Sequence, residues 1–227
     1  MGTRFGHMTD QQPKGFVLFK NKPMIIRAID TLIQCGIKRI IIGTGYHKEA
    51  YEALCETYPQ IECVYSPQYA ETNSMYTLYN CRNVIGKDDF LLLESDLVYD
   101  KEAVLSLMRC PFESAMLITS VRKFQDQYYV EMNEEQQLVR CSTNKNELNP
   151  SGELVGIHKI SNEFYLTMVK DYEQKMDELP KLGYEYELLA ISQNIKPLYV
   201  LKNDQCAWYE IDDIDDLKYA EEHINIE

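Results

Sequence analysis

The chain has 227 residues, enough for one α/β domain or a domain with a small insertion, and an apolar content of 45% is ample for a core. Its 23 Lys and Arg against 36 Asp and Glu leave a net charge of −13, which argues against a surface that neutralises nucleic-acid phosphates. No apolar run reaches the roughly 18 residues of a membrane helix, and seven cysteines and four histidines, scattered singly, read as reduced thiols of a cytoplasmic protein without a structural zinc site.

In chain order, Met1-Gly-Thr-Arg-Phe-Gly6 followed by Pro13-Lys14 suits a loop that wraps a nucleoside triphosphate. Gly2 and Gly6 let the backbone approach phosphate oxygens. Arg4 offers a planar fork and Lys14 a compact charge, with Thr3 in the same loop. A basic, glycine-containing tail is the plainer reading of these residues.

Pro23 to Gly36 predicts a helix, with Ile25, Ile26, Ile29, Leu32 and Ile33 at helical spacing. Arg39-Ile-Ile-Ile-Gly43 predicts a strand buried on both faces, His47 to Tyr58 a second helix, and Glu62 to Tyr65 a further strand. This βαβ rhythm indicates a parallel, doubly wound sheet. Thr72-Asn73-Ser74 predicts the N-cap of an amphipathic helix carrying Met75, Leu78 and Tyr79 on one face. Asp89-Phe-Leu-Leu-Leu93 is a continuous apolar strand that delivers Glu94-Ser95-Asp96 to the carboxyl edge, where open α/β folds bind ligands. Capping the helix over 101–108 is the plainer role for such an acid.

From Ser114 to Val121 the pattern is again a strand. Tyr128 to Met132 and Gln137 to Cys141 flank Asn133-Glu-Glu-Gln, a natural hairpin loop, and Leu154 to Ile160 returns to the sheet. Helices are expected over 163–177, from Gly183, and over 217–224, with a strand over 195–201. Between the last two lies the acidic run Trp208-Tyr-Glu-Ile-Asp-Asp-Ile-Asp-Asp216. Glu210 and Asp212 are expected to face inward, since alternate positions of an extended segment share a face. Asp213, Asp215 and Asp216 suit a helix start.

Gly-Thr-Arg-Phe-Gly with a later Pro-Lys resembles the signature loop of nucleotidyltransferases that activate phosphorylated small molecules. Those enzymes usually read L-A-A-G-x-G-T-R after a first β-strand that lies centrally in the sheet. The sequence begins inside that motif, so the resemblance implies a strand upstream of Met1, roughly eight to ten residues with its turn. Lys22-Pro-Met-Ile25 and the run from Gly36 to Tyr46 are similar to the early part of the same family. Asn73-Ser-Met-Tyr-Thr-Leu78 resembles N-[NS]-[IM]-x-[ST]-[LM] of phosphocholine cytidylyltransferases and their relatives, which implies that Asn73 and Ser74 lie beside the nucleotide. Sugar nucleotidyltransferases usually carry G-T-A there. Asp96 matches the second acid of the D-x-D motif that holds catalytic magnesium, with Glu94 at the first position as a departure. Gly152-Glu-Leu-Val-Gly-Ile157 resembles the G-E-x-x-G-I strand, which implies that Glu153 and Gly156 lie on the acceptor side. Trp208-Tyr-Glu-Ile-Asp212 resembles W-x-[DE]-x-[DG], the second metal-ligand site.

The expectation is therefore one nucleotidyltransferase domain over 1–227, an α/β doubly wound, mostly parallel Rossmann-like sheet with a hairpin insertion over 122–153. Its expected reaction transfers CMP from CTP to a small phosphate or phosphonate, phosphocholine or 2-aminoethylphosphonate, and releases pyrophosphate. Asp96, Glu210 and Asp212 would hold Mg²⁺, and Arg4 and Lys14 would stabilise the developing charge. Such acceptors carry a cationic amine, and Tyr184, Glu185 and Glu187 offer acidic and aromatic groups to receive it. A sugar-1-phosphate nucleotidyltransferase and a non-catalytic nucleotide-binding module are the competing readings, with a homodimer left open.

Overall fold

A computed structural model of the chain describes residues 5, 12–122 and 127–226. Strands β1 (Leu18–Phe19) and β2 (Lys22–Pro23) form a small hairpin, with Lys20 and Asn21 at positive φ in the two-residue turn. Pro23 then caps α1 (Met24–Gln34), which buries Met24, Ile25, Ile29 and Leu32. Gly36, at φ +90°, follows its C-terminus. β3 (Ile40–Thr44) and β4 (Ile61–Tyr65) pair in parallel across α2 (Lys48–Glu52) and a 3₁₀ turn. Helices α3 (Ser74–Asn80) and α4 (Arg82–Ile85) lead to β5 (Phe90–Leu93) and β6 (Leu97–Tyr99).

After α5 (Lys101–Arg109) come β7 (Ala115–Thr119), β8 (Tyr129–Met132), β9 (Leu138–Ser142) and the long β10 (Gly152–Ile160). The chain continues through α6 (Asn162–Tyr172), α7 (Tyr184–Asn194), β11 (Tyr199–Lys202), β12 (Trp208–Glu210) and α8 (Ile214–His223). The short strands β1, β2 and β6 lie outside the sequence expectation, and α6 ends five residues before the expected 177.

β10 organises the main sheet, whose order is β11-β7-β10-β8-β9 with β5 also on β10. It runs antiparallel to β5, β7 and β8, so β5, β7, β8 and β11 share one direction, which β10 and β9 oppose. The α/β, doubly wound Rossmann-like architecture is the observed one. The hairpin β8–β9 joins this sheet through the pairing of Gly152 with Val130 and of Glu153 with Tyr129. Side chains of β7 alternate between two layers. Met116 and Ile118 pack with Met75, Phe164 and Leu188 on one face, while Ala115 and Leu117 pack with Ile29 and Leu107 on the other.

Two smaller ladders, β3–β4 and β6–β12, stand apart from that sheet. A cavity of about 990 Å³ opens between β3 and β5. It runs from Arg39 and Asp88 at one end to Glu94 and Asp96 at the other. No helix among the described residues is long and apolar enough to cross a membrane.

Candidate active site

The acidic site is assembled by two neighbouring ladders. The Glu94 N–H donates to the Gly156 carbonyl (3.1 Å), which extends the β5–β10 pairing past the strand end. Three residues on, β6 pairs with β12 in the register Leu97 to Glu210, and the Ile211 N–H donates to the Asp96 carbonyl at 3.0 Å. Carboxylate oxygens of Glu94, Asp96 and Glu210 consequently lie within 4.8 Å of one another. Three carboxylates at that spacing repel unless a proton or a cation compensates them. An all-oxygen donor set of this kind suits a hard divalent cation such as Mg²⁺.

Gly156 makes room for this group. It sits at φ +79°, and a Cβ there would lie 2.6 Å from Oε2 of Glu94. Glu94 is deeply set, and burial pushes its carboxyl well above the usual range, reinforced by Asp96 and Glu210 and opposed by a hydrogen bond from Tyr184. Burial likewise raises Glu185, opposed by its own backbone N–H and by its contact with Glu94.

Lys14 faces this cluster from the 3₁₀ turn Lys14–Phe16. Its Nζ lies 2.7 Å from Asp96 Oδ2 and 2.5 Å from Asp212 Oδ1. Burial works against the ammonium, yet Asp96 and Asp212 outweigh it and hold the group above its ordinary value. Asp212, expected among the metal ligands, is thus turned to Lys14, while Glu94 joins Asp96 and Glu210 instead. Asp213 caps α8 through the N–H groups of Asp215 and Asp216, as a helix-start acid does. Gly2, Thr3 and Arg4 lie outside the described residues.

Asn73 and Ser74 line the same cavity as Glu94, Asp96, Gly156 and Glu185. Asn73 caps α3 by accepting from the Ser74 N–H (2.8 Å), and its Nδ2 donates to the Lys181 carbonyl. Ser74 Oγ accepts from the Tyr184 N–H at 3.0 Å. Both side chains therefore tie the start of α7 to the start of α3.

Two expected acceptor residues sit elsewhere. Glu153 is buried, accepts from the Arg122 N–H (3.0 Å) and does not line the cavity. The pairing of β10 with β7 shifts register between Leu154 and His158, so Glu153 and Gly156 lie on either side of an irregularity in the strand. Glu187 is also buried away from the cavity, paired with Lys175 at 2.7 Å. Helix positions two apart do not share a face, so Glu185 and Glu187 cannot act together.

Gln127 and His158 were not singled out by the sequence. Buried Gln127 donates from Nε2 to Glu210 (3.2 Å), and His158 Nε2 lies 3.1 Å from the Tyr184 hydroxyl. Neither carries a local signal, because each meets its partner through contacts more than 25 residues away in sequence.

A 2-aminoethylphosphonate cytidylyltransferase of Lancefieldella rimae is 32% identical over 104 residues, 46% of this chain and 42% of that protein. A choline-phosphate cytidylyltransferase of Streptococcus pneumoniae is 37% identical over 97 residues, 40% of this chain and 42% of that protein. Each match therefore spans less than half the length of the relative. The inositol-1-phosphate CTP transferase structure from T. maritima superposes with a TM-score of 0.83 at 15% identity, covering 97% of this chain and 89% of that one, which shows a shared fold. The family model for nucleotidyl transferases matches residues 1–225, and the chain belongs to that family.

Proposed function

We propose that the chain is a cytidylyltransferase that transfers CMP from CTP to a small phosphate or phosphonate bearing a cationic nitrogen, phosphocholine or 2-aminoethylphosphonate. The observation that carries this reading is the convergence of Glu94, Asp96 and Glu210 beside Lys14 at one end of a cavity that also holds Asn73, Ser74 and Glu185.

In the proposed reaction an acceptor oxygen attacks the α-phosphorus of CTP. The bond from that phosphorus to the oxygen bridging to the β-phosphate breaks, and pyrophosphate leaves with the electron pair. The attacking oxygen is already anionic, so no general base is needed. The difficulty is repulsion between anions and the charge that builds on the leaving group. Glu94, Asp96 and Glu210 would hold Mg²⁺, which when bound supplies charge neutralisation of the phosphates. Lys14, aimed by Asp96 and Asp212, is the fixed cation on the protein side. Arg4 is proposed as a second cation and Gly2 and Thr3 as backbone contacts to phosphate. Glu185 and Tyr128, both on the cavity wall, would receive the acceptor's cationic nitrogen.

A matrix of four nucleoside triphosphates against phosphocholine, 2-aminoethylphosphonate and several sugar phosphates tests the reading by pyrophosphate release. CTP with an aminated acceptor is expected to exceed every other pair by at least about tenfold. Comparable turnover of glucose-1-phosphate with UTP or dTTP would promote the sugar nucleotidyltransferase, and no pyrophosphate from any pair would leave a nucleotide-binding module.

A further inference from the structure

Behind the carboxylate group lies a buried polar chain that the proposed reaction does not use. The Tyr184 hydroxyl donates to Glu94 Oε1 at 2.5 Å, and His158 Nε2 lies 3.1 Å from the same hydroxyl on its other side. A tyrosine hydroxyl has one proton. With that proton directed to Glu94, the His158 contact must be Nε2–H donating to the Tyr184 oxygen. His158 Nδ1 is then bare, and it is a buried nitrogen with no hydrogen-bond partner. Burial pulls the imidazole down to about 3, so the ring is neutral and one nitrogen must lack a proton. The orphaned nitrogen and the direction of the chain agree.

The backbone around Tyr184 is fixed independently of that chain. Its N–H donates to Ser74 Oγ, the Met75 N–H donates to the Leu182 carbonyl (3.3 Å), and Asn73 Nδ2 donates to the Lys181 carbonyl (3.3 Å). Gly183 lets Glu185 fold back over it, since a Cβ at that position would meet Glu185 Oε2 at 2.4 Å. The ring itself is buried and meets His158 edge to face at 5.3 Å. Glu94 is therefore held from two sides, by the bare face of Gly156 and by a hydroxyl whose own position is fixed at both ends.

We propose that Tyr184 is a positioning residue, which with His158 behind it holds the Glu94 carboxylate in register with Asp96 and Glu210. The inference rests on the reading of those three carboxylates as a divalent-cation site. Removing a partner that orients a metal ligand commonly weakens metal binding about ten- to a hundredfold.

Mn²⁺, followed by its solution EPR signal, is the probe. Tyr184→Phe keeps the ring and is expected to weaken Mn²⁺ binding about ten- to a hundredfold. In a Glu94→Ala background the same change should weaken it less than about twofold, because the residue it acts through is already gone. A loss under tenfold in the wild-type background overturns the proposal, as does an equal loss in both backgrounds. Wild-type protein that binds no Mn²⁺ overturns the metal reading and the proposal with it, whereas the preceding outcomes leave the metal reading standing. A measurement on unaltered protein covers the case of a variant that does not fold. Nitrogen-15 NMR of the His158 ring should show the proton on Nε2. A proton on Nδ1 would mean that Tyr184 donates to His158 rather than to Glu94, and that also overturns the proposal.

Discussion

Strands β5 and β7 read alike as apolar runs, Phe90-Leu-Leu-Leu93 and Ala115-Met-Leu-Ile-Thr119, yet they sit in different surroundings. Every residue of β7 is buried, and every residue of β5 is only half-buried. β7 has β10 on one edge and β11 on the other, whereas among the described residues β5 pairs with β10 alone. Its other edge faces β3 across the cavity, whose walls there are Ile40, Ile42, Leu91 and Leu93 with Ile29 and Leu32 of α1. Composition thus says that a strand will form but not how many neighbours it has. The Arg39–Asp88 ion pair (3.3 Å) joins the starts of β3 and β5, and both strands end at the side of Glu94 and Asp96, so they run the same way.

The contrast divides the molecule into an open half that carries the chemistry and a closed half that carries stability. The largest expected effect belongs to the open half. Asp96→Ala should lower turnover at least about a hundredfold, since a metal clamp and the aim of Lys14 together supply several kcal/mol. Its unfolding free energy should change by only about 0.5 kcal/mol, because the removed carboxylate was one of a crowded set. Retention of more than a tenth of wild-type rate at saturating Mg²⁺ would remove Asp96 from the site.

Paired core substitutions sharpen the contrast next. Leu117→Ala, in fully buried β7, should cost about 2–5 kcal/mol in urea denaturation. Leu92→Ala, in half-buried β5, should cost roughly half as much. Equal costs at the two positions would remove the contrast between the strands.

How much of this was legible depends on the range of the contact. Strands of four or more residues and the longer helices follow from apolar spacing, and Asp96 and Glu210 follow from their places at strand ends. β1, β2 and β6 are two or three residues long, too short for periodicity to register. Glu94 was noted as a departure at its position, but its membership of the carboxylate group depends on Gly156 across the sheet. The G-E-x-x-G-I resemblance points to Glu153 and the Tyr184 to Glu187 cluster to Glu187, yet both are buried and neither lines the cavity. Gln127, His158 and the hydroxyl of Tyr184 acquire a role only through the fold, which no local pattern of residues encodes.

The smallest effect concerns Glu187, an acid in the closed half. Burial pushes its carboxyl up to about 7 from an ordinary 4.5, with the Lys175 contact opposing the rise. A carboxyl raised on folding binds its proton more tightly in the native state, so between pH 4.5 and 7 the native protein carries more of that proton than the unfolded chain. The contribution to stability is therefore fully present below about 4.5, falls as pH rises towards 7 and is flat above it. Its size is at most about 3 kcal/mol, and Lys175, held also by Asp171, reduces it in practice. Glu187→Gln keeps the shape and removes the titration. Unfolding free energies measured from pH 4.5 to 8 should then show the wild type losing stability relative to the variant as pH rises towards 7. Profiles that stay parallel across the range would mean that Lys175 holds Glu187 ionised throughout, and that this corner of the closed half is an ordinary ion pair.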